Sequence, residues 1–288
     1  MDPYRRANRE LWDEWAAINA GSELYRLAEF KAGGNKLHPL EREEVGPVEE
    51  RSLLHLMCHF GMDTLSRARL GAIVTGVDFS PEAIRMAREL SAELGIPARF
   101  LCCDLYDLPE HLDETFDVVH TSYGVLSWLS ELEGWARIVS RYLRPGGAFY
   151  IAEIHPACML FDESVPSAEW RVGYDYFQEE VRSFDVKGSY ADPSVAVKSL
   201  RSYEWFYTLG RVVSLLIREG LRIEFLHEHP FTVYQALPFL EKREDGYWHL
   251  PASMPRVPLL FSLRASRPES IGEADRPKSG PSDTTTMR

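Results

Sequence analysis

The chain has 288 residues, of which 45% are hydrophobic and 26% are charged, a composition typical of a globular protein with a substantial core. Its formal net charge of −12 disfavours a nucleic-acid partner, because proteins hold phosphate backbones with clustered Lys and Arg, and the basic residues here are scattered among acids. The apolar runs are too short and too interrupted for a membrane span of about 20 residues.

The four cysteines and the N-terminus bear on cellular location. Cys102 and Cys103 are adjacent, and together with Cys58 and Cys158 they do not form a disulfide framework for a protein of this size. The N-terminus lacks the apolar core and small-residue cleavage site of a secretory signal. We therefore expect a cytoplasmic protein with free thiols, a monomer or a homodimer, that acts on a small molecule.

Residues 1–50 are predicted to form an N-terminal helical cap. Within them, residues 4–20 place Leu11, Trp12 and Trp15 on one side and charged residues elsewhere. That spacing predicts an amphipathic helix whose apolar side packs on another part of the protein.

From Leu53 onward the chain alternates short apolar runs with helical patterns, which predicts the order β-α-β-α-β. Two further strands are predicted at 116–122 and 147–154, separated by a helix over about 130–144 that ends in a Pro-Gly-Gly turn. Five parallel strands in succession imply a doubly wound α/β sheet that binds its ligands at the carboxyl ends of the strands.

The periodic pattern fades between about 156 and 202, in a stretch rich in Tyr, Phe, Asp and Ser that we interpret as an inserted lid. A helix over about 208–219, a strand at LRIEFLHE and a last strand near VPLLFSLRA then complete the main domain, residues 51–267. Residues 268–288 are rich in Ser, Thr, Pro and Gly and are predicted to be a disordered tail.

The ends of the first three predicted strands carry the groups that a nucleoside cofactor needs. Asp78 ends the second strand, where an ionised carboxylate can accept both ribose hydroxyls, and Phe79 and Ser80 follow it. After the third strand, Asp104 is a candidate partner for the adenine amino group, with a plain loop acid as the alternative. Leu105 and Phe79 are candidates to sandwich the adenine ring.

The order and spacing of these elements, from about Leu53 to Glu228, resemble the class I S-adenosylmethionine-dependent methyltransferases. More narrowly, LLHLMCHFGMDTLSRARLGAIVTGVDFS is similar to a bacterial subgroup whose first motif reads LHLQCHFGxDTLSWARLGA. The strand pair after the fifth α/β unit agrees with the seven-stranded, Rossmann-like sheet of these enzymes, in which the final strand is antiparallel. The resemblance implies S-adenosylmethionine as the cofactor and an O, N or C atom of a small metabolite as the methyl acceptor.

The loop after the first strand departs from the family pattern. His55 stands where an acidic residue is usual, Met57 and His59 replace two glycines, and Gly61 remains. The bulkier loop keeps the backbone further from a ligand, so we expect side chains such as His59 or Thr64 to contact the methionine moiety. The predicted cofactor contacts of this loop are Met57, Cys58, His59, Gly61 and Thr64.

The loop bears on three other interpretations. The loop lacks Gly-x-Gly-x-x-Gly, which disfavours an NAD(P)-dependent oxidoreductase because a pyrophosphate needs close backbone amides. His55-x-x-Cys58-His59 is not expected to bind a metal, since strand alternation sends His55 and Cys58 to opposite faces. The altered loop also leaves open a degenerate methyltransferase fold that acts as a cofactor sensor or a partner subunit.

The remaining candidates follow from the resemblance and from the ends of later strands. Ser122 or Tyr123, after the fourth strand, is expected to contact the amino acid part of the cofactor, and Tyr123 lies where the methyl group would be transferred. Tyr25, in the N-terminal segment, is expected to reach the sulfonium region or to pack the cap on the sheet.

Two histidines are candidates for proton transfer. His155, after the fifth strand, is the preferred general base, since its ordinary pKa suits proton transfer near neutral pH; the alternative is that it caps a turn or anchors the lid. His229 is a secondary candidate. The acceptor is expected to be enclosed by the aromatic segment 170–190 with Tyr203, Trp205 and Tyr207.

Overall fold

A computed structural model of the protein describes residues 1–161 and 171–269. Residues 162–170, within the predicted lid, and residues 270–288, which form most of the predicted disordered tail, lie outside this description. Within the part that is described, no helix is long and apolar enough to cross a membrane.

Seven α-helices lie in the described ranges. They are α1 Pro3–Gly21, α2 Leu27–Lys31, α3 Pro39–Val45, α4 Met62–Arg69, α5 Pro81–Leu94, α6 Leu132–Tyr142 and α7 Leu209–Arg218. Short 3-10 helices span Leu105–Glu110, Leu126–Trp128 and Cys158–Leu160.

The same ranges contain twelve strands. The first seven are β1 Ser52–Leu56, β2 Ile73–Asp78, β3 Arg99–Cys102, β4 Phe116–Ser122, β5 Leu143–Ile154, β6 Arg182–Asp185 and β7 Arg201–Glu204. The others are β8 Arg222–His229, β9 Phe231–Thr232, β10 Glu241–Lys242, β11 Trp248–His249 and β12 Leu260–Ser266.

Seven of the strands form the central sheet, in the order β3-β2-β1-β4-β5-β12-β8. The first five are parallel to one another, and β12 pairs antiparallel with both β5 and β8. This arrangement confirms the predicted Rossmann-like sheet with an antiparallel final strand. One detail differs: β5 begins at Leu143, so the Pro-Gly-Gly segment predicted to precede the strand lies inside it.

Side-chain alternation along the strands covers both faces of the sheet, as a doubly wound sheet requires. Leu54 and Phe149 point to the face packed by α6 and α7, where Trp135 is fully buried. Their neighbours Leu53 and Tyr150 point to the opposite face. The core therefore has two layers, and the strand ends between them are free to form a site.

Two pieces of the fold were not predicted. Strands β9, β10 and β11 form a separate three-stranded sheet, and β6 pairs with β7 in a two-stranded sheet within the region interpreted as a lid. Strands β9, β10 and β11 have two residues each, too short to show an alternating pattern in a sequence.

Helix α1 packs against the segment that carries β7. The side-chain amide of Asn8 donates to the Tyr203 carbonyl at 2.6 Å and its oxygen accepts from the Tyr203 N–H at 2.9 Å. Further along the helix, Trp15 Nε1 donates to the Gly188 carbonyl at 3.2 Å. The N-terminal helix and residues 188–203 thus form one wall over the ends of the sheet strands.

Candidate active site

A cavity of about 440 Å³ opens at the carboxyl ends of the parallel strands, within the size range of about 300–1,000 Å³ that small-molecule sites occupy. Its floor is formed by the residues that follow β1, β2, β3, β4 and β5. Its roof is formed by α1 and by aromatic residues of the lid region. The aromatic roof residues are Tyr176, Tyr190, Trp205, Phe206 and Tyr207.

The loop after β1 has an unusual backbone, because two residues other than glycine have positive φ. Met57 has φ 59° and His59 has φ 52°, while Gly61 has φ 80°. Such angles cost about 1 kcal/mol or more for residues with a Cβ. Gly61 has no substitute, since a Cβ there would lie 2.8 Å from the Phe100 ring. Met57, Cys58, His59 and Gly61 all lie in the cavity wall.

Asp78 is held in place by the same loop. Its Oδ2 accepts the His59 N–H at 2.8 Å and its Oδ1 accepts the Ser80 N–H at 2.9 Å. The side chain lies in the cavity wall, and burial raises its pKa to about 6. Each carboxylate oxygen has a further lone pair, so the group is oriented by the backbone and still able to accept hydrogen bonds from a ligand.

Asp104 lies beside it at the end of β3. Its Oδ1 accepts the Tyr106 N–H at 3.0 Å and an Arg5 Nη1–H at 2.9 Å. Its Oδ2 is buried and has no hydrogen-bond partner within the described ranges. Phe79 and Leu105 also lie in the cavity wall. A buried acceptor without a donor, next to two apolar side chains, matches the edge of a purine that carries an amino group.

Ser80 and Thr64 lie outside the cavity wall, and the prediction that they contact the cofactor is corrected. Ser80 Oγ caps α5 by accepting the Ala83 N–H at 3.0 Å, and it donates to Asp13 at 2.6 Å. Thr64 Oγ1 lies 2.8 Å from His55 Nδ1, beneath the loop, and is fully buried. The Ser80 hydroxyl is used in helix capping and the Thr64 hydroxyl in core packing.

The prediction that His155 faces the cavity is wrong. The cavity wall includes Ile154 and Pro156 but, among the described residues, does not include His155. Its Nδ1 accepts the Ala157 N–H at 3.0 Å, and its Nε2 lies 2.9 Å from Glu228 Oε1. This is the turn-capping alternative, and burial lowers the histidine pKa despite the attraction of Glu228.

Two other predicted residues lie away from the cavity. His229 Nε2 lies 3.0 Å from Ser262 Oγ, so this ring is used within the sheet. Tyr203 packs its ring on Tyr4, with centroids 4.7 Å apart, instead of on the cavity. Neither residue belongs to the cavity wall as far as the structure describes it.

The residues after β4 are positioned by a buried acid that the sequence did not single out. Glu153 accepts N–H groups from Gly124 at 2.5 Å, Val125 at 2.8 Å, Leu126 at 3.1 Å and its neighbour Ile154 at 2.6 Å. Burial raises the Glu153 pKa, although these four donors lower it. The carboxyl group therefore fixes the loop that follows Ser122 and Tyr123 in the cavity wall.

Helix α1 contributes to the cavity two tryptophans that the sequence suggested only as packing, and one arginine from the charged side of the helix. Arg5, Trp12 and Trp15 all line the cavity. Trp12 Nε1 is buried without a partner in the described ranges, and the Trp12 ring meets the His59 ring edge to face at 5.2 Å. An apolar helical stripe has the same pattern whether it covers a core or a ligand, so the sequence did not distinguish the two.

Glu41 is fully buried behind the cavity, and burial together with Asp63 raises its pKa to about 8, whereas Arg67 lowers it. In the unfolded chain the group ionises near 4.5, so stability falls as pH rises from about 4.5 through 8. The titratable groups that face it are Lys36, Asp63, Arg67, Tyr123, Tyr150 and Tyr247.

We expect Glu41→Gln to increase the free energy of unfolding relative to the wild type more at pH 8 than at pH 5. The difference should grow by up to about 1.4 kcal/mol per pH unit, because glutamine does not ionise. Denaturant unfolding at both pH values measures this, with the exposed Glu43→Gln as the matched control. A Glu41→Gln effect that is the same at both pH values would contradict it.

The sheet order, the antiparallel strand β12 and the acids that end β2 and follow β3 together define the class I methyltransferase fold. A family model described as a methyltransferase domain matches residues 53–147, which contain these acids and the loop after β1.

Similar proteins agree with this class. A curated relative named ubiquinone biosynthesis O-methyltransferase, from Methylobacterium nodulans, is 31% identical over 128 residues, which are 44% of this chain and 51% of that protein. The chain thus spans about half the length of this relative. A solved S-adenosylmethionine-dependent methyltransferase from Mesorhizobium loti is 23% identical, with a TM-score of 0.57 over 80% of this chain and 96% of that chain.

A third similar protein was solved with a ligand. A glycopeptide N-methyltransferase complexed with S-adenosyl-L-methionine is 19% identical, with a TM-score of 0.51 over 80% of this chain and 86% of that chain. At these identities the two solved structures show a shared fold.

Proposed function

We propose that the protein transfers a methyl group from S-adenosylmethionine to an O, N or C atom of a small molecule. The observation that carries the proposal is that Asp78 and Asp104 meet in one cavity with free acceptor capacity. The curated relative's name, which refers to an O-methyltransferase of ubiquinone biosynthesis, supports a small acceptor.

The cavity residues fit this cofactor. The oriented carboxylate of Asp78 suits two ribose hydroxyls, and the unpartnered Oδ2 of Asp104 suits the adenine amino group. We propose that the ring lies between Phe79 and Leu105. The proposed cofactor site consists of Tyr25, Met57, Cys58, His59, Gly61, Asp78, Phe79, Asp104, Leu105 and Ser122.

When bound, S-adenosylmethionine supplies the methyl group: the acceptor's lone pair bonds to the methyl carbon while the bond from that carbon to sulfur breaks, its electron pair staying on sulfur. The protein's contribution is to hold donor and acceptor in line and to exclude water. Many such transfers need no general base in the protein, because an amine or an acceptor ionised in solution attacks through its own lone pair and any proton on the acceptor atom leaves to solvent. The position of His155 outside the cavity agrees with such a transfer. Enclosure comes from α1 and the lid aromatics.

Tyr123 is the proposed contact between the protein and the reacting groups. It lies in the cavity wall after β4, beside Ser122, and its hydroxyl is buried. Burial raises the pKa of this phenol well above its ordinary value, so it stays protonated, and its hydroxyl faces the buried Glu41 carboxyl group. We propose that the part of its side chain in the cavity wall contacts the acceptor and helps to orient it.

Calorimetric titration of the purified protein with S-adenosylhomocysteine tests the function. We expect saturable binding in the micromolar range and none with NADH or NADPH at the same concentrations. Product formation across a panel of phenols, amines and activated carbon acids then separates an enzyme from a cofactor sensor. Absence of any S-adenosylhomocysteine binding would contradict the proposal.

A further inference from the structure

The end of β1 lacks the anion that the amino group of a bound S-adenosylmethionine would meet. His55 is 2% exposed, and its Nδ1 lies 2.8 Å from Thr64 Oγ1. Burial and the nearby Arg67 lower the His55 pKa to about 3, so the ring is neutral at physiological pH. If the proposed function holds, other charged groups of the cavity must take the place of that anion.

We propose that Asp63 and Lys36 bind the zwitterionic amino acid end of S-adenosylmethionine, Asp63 holding its ammonium and Lys36 its carboxylate. Both side chains line the cavity. The pair makes the site selective for ligands that carry an intact amino acid end.

The position of Asp63 follows from the strand order, whereas Lys36 reaches the cavity from the segment between α2 and α3. Asp104 follows β3, Asp78 ends β2 and the loop Met57–Gly61 follows β1, so adenine, ribose and sulfur contacts succeed one another across the sheet. Neighbouring strands lie about 4.8 Å apart, which matches the spacing of the parts of an extended nucleoside ligand. The next groups along this line are Asp63, directly after the loop, and Ser122, after β4.

Asp63 is a carboxylate without a direct partner in the described ranges. It is half-buried at the start of α4 and borders the cavity, and its carboxylate makes no hydrogen bond or ion pair with any residue in the ranges that the structure describes. Burial raises its pKa, whereas Lys36 and Arg67 lower it. A ligand ammonium would supply the direct hydrogen bonds that this carboxylate lacks.

Lys36 has unused hydrogen-bond donors. Its Nζ donates to the Leu24 carbonyl at 3.0 Å and lies 5.3 Å from the centre of the Tyr25 ring. An ammonium has three N–H donors, so two remain for a ligand carboxylate. Burial lowers the Lys36 pKa, and Asp63 opposes that shift by favouring the charged form.

The charges of this pair also suit a zwitterion in particular. Lys36 and Asp63 carry opposite charges at the cavity surface, and Arg67 lies behind them, 1% exposed and bonded to the Glu41 carbonyl at 3.1 Å. A ligand end that carries one positive and one negative charge adds no net charge to the cluster of Lys36, Asp63 and Arg67. A ligand with only an ammonium or only a carboxylate would leave one member of the pair unmatched.

The test is calorimetric titration with two ligands. S-adenosylhomocysteine carries the amino acid end, and 5′-deoxy-5′-methylthioadenosine has the same adenine, ribose and thioether without it. We expect the wild type to bind S-adenosylhomocysteine at least about 100-fold more tightly, since two charge-assisted contacts contribute about 1.5–3 kcal/mol each. Equal affinities of the wild type for the two ligands would overturn the inference without any variant.

Substitutions test whether Lys36 and Asp63 cause the difference in affinity between the two ligands. Lys36→Met and Asp63→Asn should each weaken S-adenosylhomocysteine binding about 10–100-fold and change methylthioadenosine binding less than about twofold. Lys36→Arg should restore most of the lost affinity, and Lys31→Met, at an exposed lysine paired with Glu93, should have no effect. Retained binding of methylthioadenosine shows that a variant is folded.

The possible failures are distinguishable. If the wild type binds S-adenosylhomocysteine and both variants bind it equally well, this inference is overturned and the proposed function stands. If a variant loses both ligands to the same degree, its residue has a structural role and the inference fails for it. If the wild type binds neither ligand, the proposed function itself fails.

Discussion

Asp78→Asn is expected to weaken S-adenosylhomocysteine binding by at least about 100-fold. The carboxylate would lose charge-assisted bonds to two ribose hydroxyls, worth about 1.5–3 kcal/mol each, and would present an amide that has N–H donors of its own. The amide also disturbs one of the two bonds, to the His59 and Ser80 N–H groups, that fix the loop. Calorimetric titration at pH 7.5 measures the change.

The pH dependence of ligand binding by the wild type provides a second test of Asp78. Because burial raises the Asp78 pKa to about 6, the ionised form that binds hydroxyls is lost as pH falls through that value. Affinity should therefore fall by up to about tenfold per pH unit below 6 in the wild type, and less steeply in Asp78→Asn.

Ser80→Ala is the matched control, two residues further along the chain. Its hydroxyl caps α5 and lies outside the described cavity wall, so we expect a loss of stability of about 1 kcal/mol with little change in affinity. Comparable losses of affinity in Ser80→Ala and Asp78→Asn would show that the loop geometry matters and that the Asp78 charge does not.

Glu153→Gln is expected to lower the free energy of unfolding by about 2–4 kcal/mol. The carboxyl group accepts four backbone N–H groups, and a side-chain amide would turn its NH₂ toward some of those donors and leave them buried without acceptors. Denaturant unfolding at pH 7 measures the loss. The loop after β4 should also become mobile, and amide hydrogen exchange at Gly124, Val125 and Leu126 reports this directly.

Glu133→Gln is the control for Glu153→Gln. Glu133 is partly exposed and pairs with Arg211 at 3.0 Å, a surface ion pair worth about 0–1 kcal/mol. If Glu153→Gln were no more destabilising than Glu133→Gln, Glu153 would not be what holds the loop.

Local patterns in the sequence were enough to place the main elements. The helix predicted over 4–20 is α1, Pro3–Gly21, and the strand predicted at 116–122 is β4. Periodicity is a property of each segment by itself, and a buried strand or an amphipathic helix keeps it in any tertiary context. The parallel arrangement of the first five strands followed from the succession of segments, since parallel neighbours need crossover helices, whereas the seven-stranded sheet with its antiparallel final strand was implied by the family resemblance.

The sequence also placed the acids that follow the strands. The strand order constrains a residue at the carboxyl end of a parallel strand to that edge of the sheet, so the positions of Asp78 and Asp104 in the sequence predict that both lie in the cavity. For Thr64, Ser80 and His155 the same reasoning was insufficient. Each lies within a few residues of a strand end, but capping, packing and a turn decide where its side chain points.

Only the tertiary structure brought together groups that are far apart in the chain. Arg5 meets Asp104 across 99 residues, and Asn8 meets Tyr203 across 195. No local pattern contains such contacts, because they depend on how α1 and the lid region dock over the sheet. What the sequence determined by itself was the sheet and the acids at its strand ends; the enclosure of the cavity, the buried charges around Asp63 and the exclusion of His155 were decided by packing between distant segments.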